Sequence, residues 1–182
     1  MKINKILSLS ESNGPGKRFT IWVQGCSIRC TGCINKDTWD SLAGEEQSIE
    51  NLYKSILESN FGLTITGGEP LDQYNDTLCL CKKVFPVTDV FLTSGYTLET
   101  IQKKYPEILS YIDILVSGPF QENNYSDSLL WKGSTNQNVS FLTARAIKIA
   151  NNDLKRIKAE IIIDKKTGMM LVTGFSIPKA IL

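Results

Sequence analysis

The sequence predicts an α/β protein, an open, partial βα barrel with a parallel sheet, continued by a C-terminal β-hairpin. Three observations predict it. Short runs rich in β-branched and aromatic residues alternate with segments of helical periodicity through the first two thirds of the chain, the pattern of βα units. The strands in that stretch are too few to close an eight-stranded barrel. The length, 182 residues, is one domain's worth of chain. Residues 1–142 are expected to form the core domain, and residues 143–182 an extension packed on it.

The elements follow in order. Arg18 to Gln24 reads as a strand and runs straight into a cysteine-rich loop. Ser48 suits a helix N-cap, and Ile49, Leu52, Tyr53, Ile56 and Leu57 recur at helical spacing. Phe61 to Thr66 is a short strand stopped by Gly67 and Gly68, and Pro70 suits the first turn of a helix reaching Val84. Val87 to Thr93 is a third strand, with a turn at Ser94 and Gly95. Thr97 to Lys104 is a helix closed before Pro106, and Ile112 to Val116 is a fourth strand. Ser117 to Ser140 is polar and aperiodic and reads as a long loop, the kind that is usually functional or disordered. Lys158 to Ile163 and Met169 to Thr173 form the hairpin, turning at residues 164–168.

The net charge of +1 gives no global attraction to nucleic acid or an anionic membrane, and neither is expected as a partner. The densest basic stretch, Arg145 to Lys166, is interspersed with Asp153, Glu160 and Asp164 and reads as a solvated face. No apolar run approaches the ~20 residues that span a bilayer. Met1 to Asn13 lacks the apolar centre of a signal peptide, so the protein is expected in the cytoplasm. Histidine is absent, which removes the commonest general base and zinc ligand.

Cys26, Cys30 and Cys33 place three thiols within eight residues, directly after a strand. Thiolates select iron–sulfur clusters, zinc or copper(I). A structural zinc or an electron-transfer cluster wants four ligands. Cys79 and Cys81 sit two apart in a predicted helix, point about 200° apart, and read as packing residues rather than a chelating pair. Three ligands leave one iron of a four-iron cluster open, as a catalytic site requires. The Cys-x3-Cys-x2-Cys spacing is that of radical S-adenosylmethionine enzymes. Thr66-Gly67-Gly68-Glu69-Pro70 ends a strand and opens a helix. Such a turn suits a carboxylate at the free N–H groups and an ammonium at Glu69, or serves only as a tight turn whose Glu complements the helix dipole.

Together these two motifs resemble the radical S-adenosylmethionine superfamily, where the Gly-Gly-Glu/Asp-Pro element grips the amino-acid part of the cofactor. Gly14-Pro15-Gly16-Lys17-Arg18, Gln24-Gly25-Cys26, Gly32 before Cys33, and Asn35 with Thr38-Trp39 narrow the resemblance to the glycyl-radical enzyme activases. It is closest to the activating proteins of anaerobic (class III) ribonucleotide reductase. Thr93-Ser94-Gly95-Tyr96 and Leu130-Trp131-Lys132-Gly133-Ser134-Thr135-Asn136-Gln137 resemble two further elements of that family. The resemblance covers residues 10–142. Lys132 replaces a usual Arg, Ser117 a frequent Asp and Pro119 a frequent Lys. About 40 residues extend past the family's short form.

The resemblance implies one 4Fe–4S cluster on Cys26, Cys30 and Cys33 and reductive cleavage of S-adenosylmethionine to methionine and a 5′-deoxyadenosyl radical. It implies flavodoxin or ferredoxin as reductant and a large glycyl-radical subunit as partner. Thr66, Gly67, Gly68, Glu69 and Pro70 are the implied cofactor turn. Asn35 is placed over the cluster loop. Ser94 and Tyr96 stand on the ribose or adenine side, or in a plain turn. Arg18 faces substrate or forms a structural ion pair. Ser117, Trp131, Lys132, Asn136 and Gln137 face the partner, or the Trp131–Gln137 segment simply closes the barrel. A stand-alone radical enzyme acting on another peptide or a small molecule is the alternative activity. A non-catalytic iron–sulfur or zinc protein is the alternative from another class.

Overall fold

The first element is one that the sequence pattern leaves unassigned. In the computed structural model, which describes residues 1–153, 155, 157–163 and 167–175, Lys2–Ser10 forms a strand, β1. Its register against the next strand shifts twice, between Ile3 and Lys5 and between Leu7 and Ser10. Such irregularities break the two-residue alternation that marks a strand in sequence.

Arg18–Val23 (β2) is buried at every residue, as a central strand covered on both faces must be. Glu45–Glu46 (β3) pairs briefly with β1. Ile49–Ser59 (α1) begins at Ser48, whose side chain accepts the Asn51 N–H at 3.1 Å, and ends at Asn60 in the left-handed region. Gly62–Gly67 (β4) leads into a 3-10 turn at Pro70–Gln73 and then Tyr74–Val84 (α2). The helix predicted from Pro70 thus starts with one tighter turn. Val90–Ser94 (β5) is followed by Leu98–Lys104 (α3), capped by Thr97, and Ile114–Ser117 (β6) is the fourth parallel strand.

The predicted loop 117–140 is more ordered than its composition suggests. It holds a 3-10 turn at Glu122–Asn124 and a bridge between Tyr125 and Ser134. Its end enters a strand, Asn138–Phe141 (β7), which lies antiparallel to β6. Ala144–Asn152 (α4) lies in the stretch read as a solvated basic face. Arg145 departs from that reading. It pairs with the buried Asp113 at 2.7 Å and donates to the Phe85 carbonyl at 3.0 Å. Ala159–Ile163 (β8) and Met170–Gly174 (β9) pair as the hairpin. Residues 164–166 of its expected turn lie outside the described residues.

The main sheet runs β3-β1-β2-β4-β5-β6-β7. β2, β4, β5 and β6 are mutually parallel, whereas β1, β3 and β7 pair antiparallel at the two sides. The parallel prediction therefore describes the centre of a mixed sheet. Helices α1 to α3 pack on one face, through Leu52, Ile56, Leu80, Val84 and Ile101 against Ile21, Leu63, Ile65 and Leu92. Cys81 belongs to that core, while Cys79, two residues earlier on the opposite side of the helix, is exposed. The other face carries a smaller cluster of Phe91, Ile114, Val116, Trp131 and Ala146.

Candidate iron–sulfur site

The parallel register lines up one residue from each strand near its C-terminal end. Trp22 sits beside Thr66, and Thr93 beside Val116. The Thr93 hydroxyl donates to Thr66 at 2.9 Å, joining the two pairs. All four line a cleft of about 220 Å³, whose walls also include Cys26, Cys30, Cys33, Asn35, Gly67, Gly68 and Glu69. The cluster loop and the glycine turn, 34 residues apart at their nearest ends in sequence, thus face one space because β2 and β4 are neighbours.

The cysteine loop is held by its backbone. Gly25 N–H donates to Thr38 O at 2.7 Å, Cys26 N–H to Trp39 O at 3.3 Å, and Cys33 N–H to Cys30 O at 3.1 Å. Asp72 accepts from both the N–H and the hydroxyl of Ser27, at 2.7 and 2.9 Å, tying the loop to the 3-10 turn. Arg29 and Gly32 take left-handed backbone, and a Cβ on Gly32 would come within 2.7 Å of the Glu122 side chain. Glycine before the third cysteine therefore has a local steric cause. The three thiols are free and partly exposed. Burial pushes the Cys26 and Cys30 thiols up. Backbone hydrogen bonds from Arg29 and Ile28 oppose this at Cys26, and one from Phe120 does so at Cys30. Among the described residues no three of Cys, His, Asp and Glu converge on a single-ion position. Thiolates that each bind a different iron of a cluster stand farther apart than ligands sharing one ion. Soft donors, no fourth cysteine among the described residues of the cleft and a glycine-lined wall fit a cluster with an open iron.

The glycine turn is built by close backbone approach. Gly68 N–H donates to Val23 O at 2.9 Å and Glu69 N–H to Gly25 O at 2.8 Å. A Cβ on Gly68 would overlap the Gly25 carbonyl oxygen, so nothing larger than glycine fits between turn and cysteine loop. Glu69 is fully buried. Its carboxyl accepts from Leu71 N–H at 2.9 Å, Ser94 hydroxyl at 2.9 Å and Gly95 N–H at 2.8 Å. Burial outweighs these hydrogen bonds and pushes its pKa up to about 7. The residue read as a free charge for an ammonium is therefore first a brace joining the β4 and β5 turns. Pro70 is buried behind it.

Several of the expected residues lie elsewhere. Arg18 is absent from the cleft lining. It is 1% exposed, pairs with Asp89, and donates to Thr64 Oγ1 at 3.0 Å and to Leu63 O. It sits at the start of β2, whereas Cys26 follows the strand's end. Ser117 is buried beside Ser94 and Asn138, and does not line the cleft. Trp131 is buried edge-on against Phe141 with φ of 63°. Asn136 donates to Pro119 O at 2.8 Å, away from the cleft lining. Gln137 bridges Gly118 O, at 3.1 Å, to the N–H groups of Gly133 and Ser134, and Lys132 donates to Gln137 O at 2.7 Å. The Trp131–Gln137 segment is thus folded onto the 118–119 turn, and of its proposed contact residues Lys132 and Gln137 reach the cleft. Ser94 lines the cleft while Tyr96 bonds Asp72 at 3.1 Å beside it. Lys5, Asn13, Trp22, Phe120 and Val172 to Phe175 also line the cleft and were missed. For Trp22 the strand alternation was the available signal.

The family described as 4Fe-4S single cluster domain matches residues 12–140, a span that contains all three cleft cysteines, and the chain is a single-cluster iron–sulfur domain of that family. The anaerobic ribonucleoside-triphosphate reductase-activating protein of Haemophilus influenzae is 37% identical over 136 residues, 69% of this chain and 88% of the relative. The protein of that name from Enterobacteria phage T4 is 34% identical over 75% of this chain and 92% of its own length. The one from Salmonella typhi is 32% identical over 78% and 99%. The chain belongs to the family of anaerobic ribonucleoside-triphosphate reductase-activating proteins. Among the described residues no helix is long and apolar enough to cross a membrane.

Proposed function

We propose that this protein is a radical S-adenosylmethionine enzyme that installs a glycyl radical on an anaerobic ribonucleotide reductase. Its sheet is read as the open partial barrel of that superfamily. The observation that carries this reading is the union, in one cleft, of three cysteines without a fourth and the Gly67-Gly68-Glu69 turn. The relatives' common name supports the reductase as target.

Cys26, Cys30 and Cys33 would hold the cluster, losing their thiol protons as they bind. With a cluster reduced by a flavodoxin or ferredoxin and S-adenosylmethionine bound, the site would gain the one-electron chemistry that cleaves the sulfonium and removes a hydrogen atom from the substrate. The chain's own residues position and shield. Gly67 and Gly68 let the cofactor's amino-acid part approach the backbone, with Glu69 and Ser94 holding that turn rigid. Trp22, Val116 and Phe120 add apolar walls that exclude water. The lining residues would hold a glycine Cα–H of the partner against the bound cofactor and keep water from it. No residue is asked to carry a proton, in keeping with the lack of histidine.

The test is anaerobic reconstitution with iron and sulfide, then dithionite, S-adenosylmethionine and the reductase. Wild type is expected to form 5′-deoxyadenosine and an electron paramagnetic resonance doublet on the reductase, and Cys30→Ala neither. A wild-type protein that binds zinc in place of iron and makes no 5′-deoxyadenosine would sink the reading.

A further inference from the structure

We propose that the C-terminal hairpin is a specificity-determining wall of this cleft, against which an extended segment of the polypeptide substrate lies. For the chemistry the proposal rests on the reading above. The contact itself rests on the hairpin. Residues 159–174 fall outside the span matched by the family, 12–140, yet Val172, Thr173, Gly174 and Phe175 line the cleft together with the cysteines. The wall is firmly attached. Glu160 accepts from the hydroxyls of Ser10 and Ser12 and from Glu11 N–H. Asn13 donates to Thr173 Oγ1 at 3.0 Å, Ser12 donates to Thr173 O at 3.2 Å, and Phe175 rests on Phe91 with ring centroids 5.6 Å apart.

Register divides the hairpin into two faces. Glu160 opposes Thr173, and both reach the core. Ile161 opposes Val172 and Ile163 opposes Met170, so these four share the other face. Ile161, Ile163 and Met170 are 53%, 62% and 64% exposed, an apolar strip that continues into the cleft at Val172. Exposed apolar surface joined to a reactive cleft marks a contact site. The occupant we assign is a polypeptide. Its reacting residue must enter a cleft of about 220 Å³, too small for a folded domain, while flanking side chains need apolar surface at the mouth.

The experiment compares reconstituted wild type with the double variant Ile163→Glu/Met170→Glu, Val172→Trp, and the conservative Ile163→Val/Met170→Leu. Affinity for fluorescently labelled reductase polypeptide is read by anaerobic anisotropy, KM for reductase and for S-adenosylmethionine by glycyl-radical formation, and self-association by sedimentation. For the charged and Trp variants, Kd and KM for the reductase are expected to rise about tenfold, several times more than KM for S-adenosylmethionine, with the conservative pair like wild type. Unchanged reductase affinity overturns the proposal. So does a KM for S-adenosylmethionine that moves as much as that for the reductase, or a lost self-dimer as the sole effect. Anisotropy needs no turnover, so wild type that binds reductase but forms no 5′-deoxyadenosine fails the radical reading alone.

Discussion

Glu69 shows how burial changes the part a carboxyl plays. It makes three hydrogen bonds within the protein and still has its pKa raised from 4.5 to about 7, because the cost of removing the charged form from water outweighs them. The folded protein therefore holds a proton that the unfolded chain releases across this range. With more protons bound in the folded state, stability falls as pH rises from about 4.5 to about 7 and then levels. Denaturant unfolding of the metal-free protein against pH is expected to show this slope, and Glu69→Gln to remove it. The same substitution turns an acceptor into a donor facing N–H groups, at a cost of about 1–3 kcal/mol. Arg18 is the opposite case, a buried charge with its partner present. Arg18→Met strands Asp89 and should cost about 3–5 kcal/mol in chemical denaturation. At a temperature where the variant is folded, KM for the reductase should be unchanged. A raised KM there would return Arg18 to the substrate side.

At the scale of elements, the site is made by two strand-to-loop junctions that touch through backbone. β2 and β4 lie in parallel register, so Gly25 and Gly68 meet carbonyl to Cα. Gly68→Ala has to push the Cys26 loop away, with an expected penalty of about 1–3 kcal/mol. The readout is iron bound per chain after reconstitution, which should drop while far-ultraviolet circular dichroism stays near wild type. Cluster loading equal to wild type would show that the two loops are independent. The cap at Ser48 and the strands β2, β4, β5 and β6 were legible in sequence, because each is a local pattern. β1 was not, since its register shifts conceal the alternation. Nor was β7, a short polar strand whose pairing with β6 supplies what its sequence does not announce.

For the whole molecule, the question is how the C-terminal extension and the core become one body. The seam is polar, with Glu160 as its hub among Ser10, Glu11 and Ser12. Glu160→Ala leaves the Ser10 hydroxyl and the Glu11 N–H without their acceptor, while Ser12 keeps Thr173 O. It should loosen the hairpin by about 1–3 kcal/mol without unfolding the sheet. Hydrogen exchange is the measurement. Amides in 159–163 and 170–174 are expected to exchange faster, with β2, β4 and β5 at wild-type protection. Uniform acceleration across the chain would mean that the hairpin and the core open together.

The sequence by itself determined the donor set of the site and the local elements. Three soft ligands in eight residues, a glycine turn after a strand, and the absence of imidazole are properties of residue type and spacing, readable before any folding. Only the tertiary structure decided which residues meet. Arg18 went to a buried pair because Asp89 and Thr64 lie across neighbouring strand ends. Ser117 and Trp131 went to the interior because β7 and the 118–137 segment fold back on β6. The hairpin became a wall of the cleft through hydrogen bonds spanning about 150 residues of chain. Contacts of that separation leave no periodicity to read. They follow from complementary surfaces that exist only once the sheet has formed.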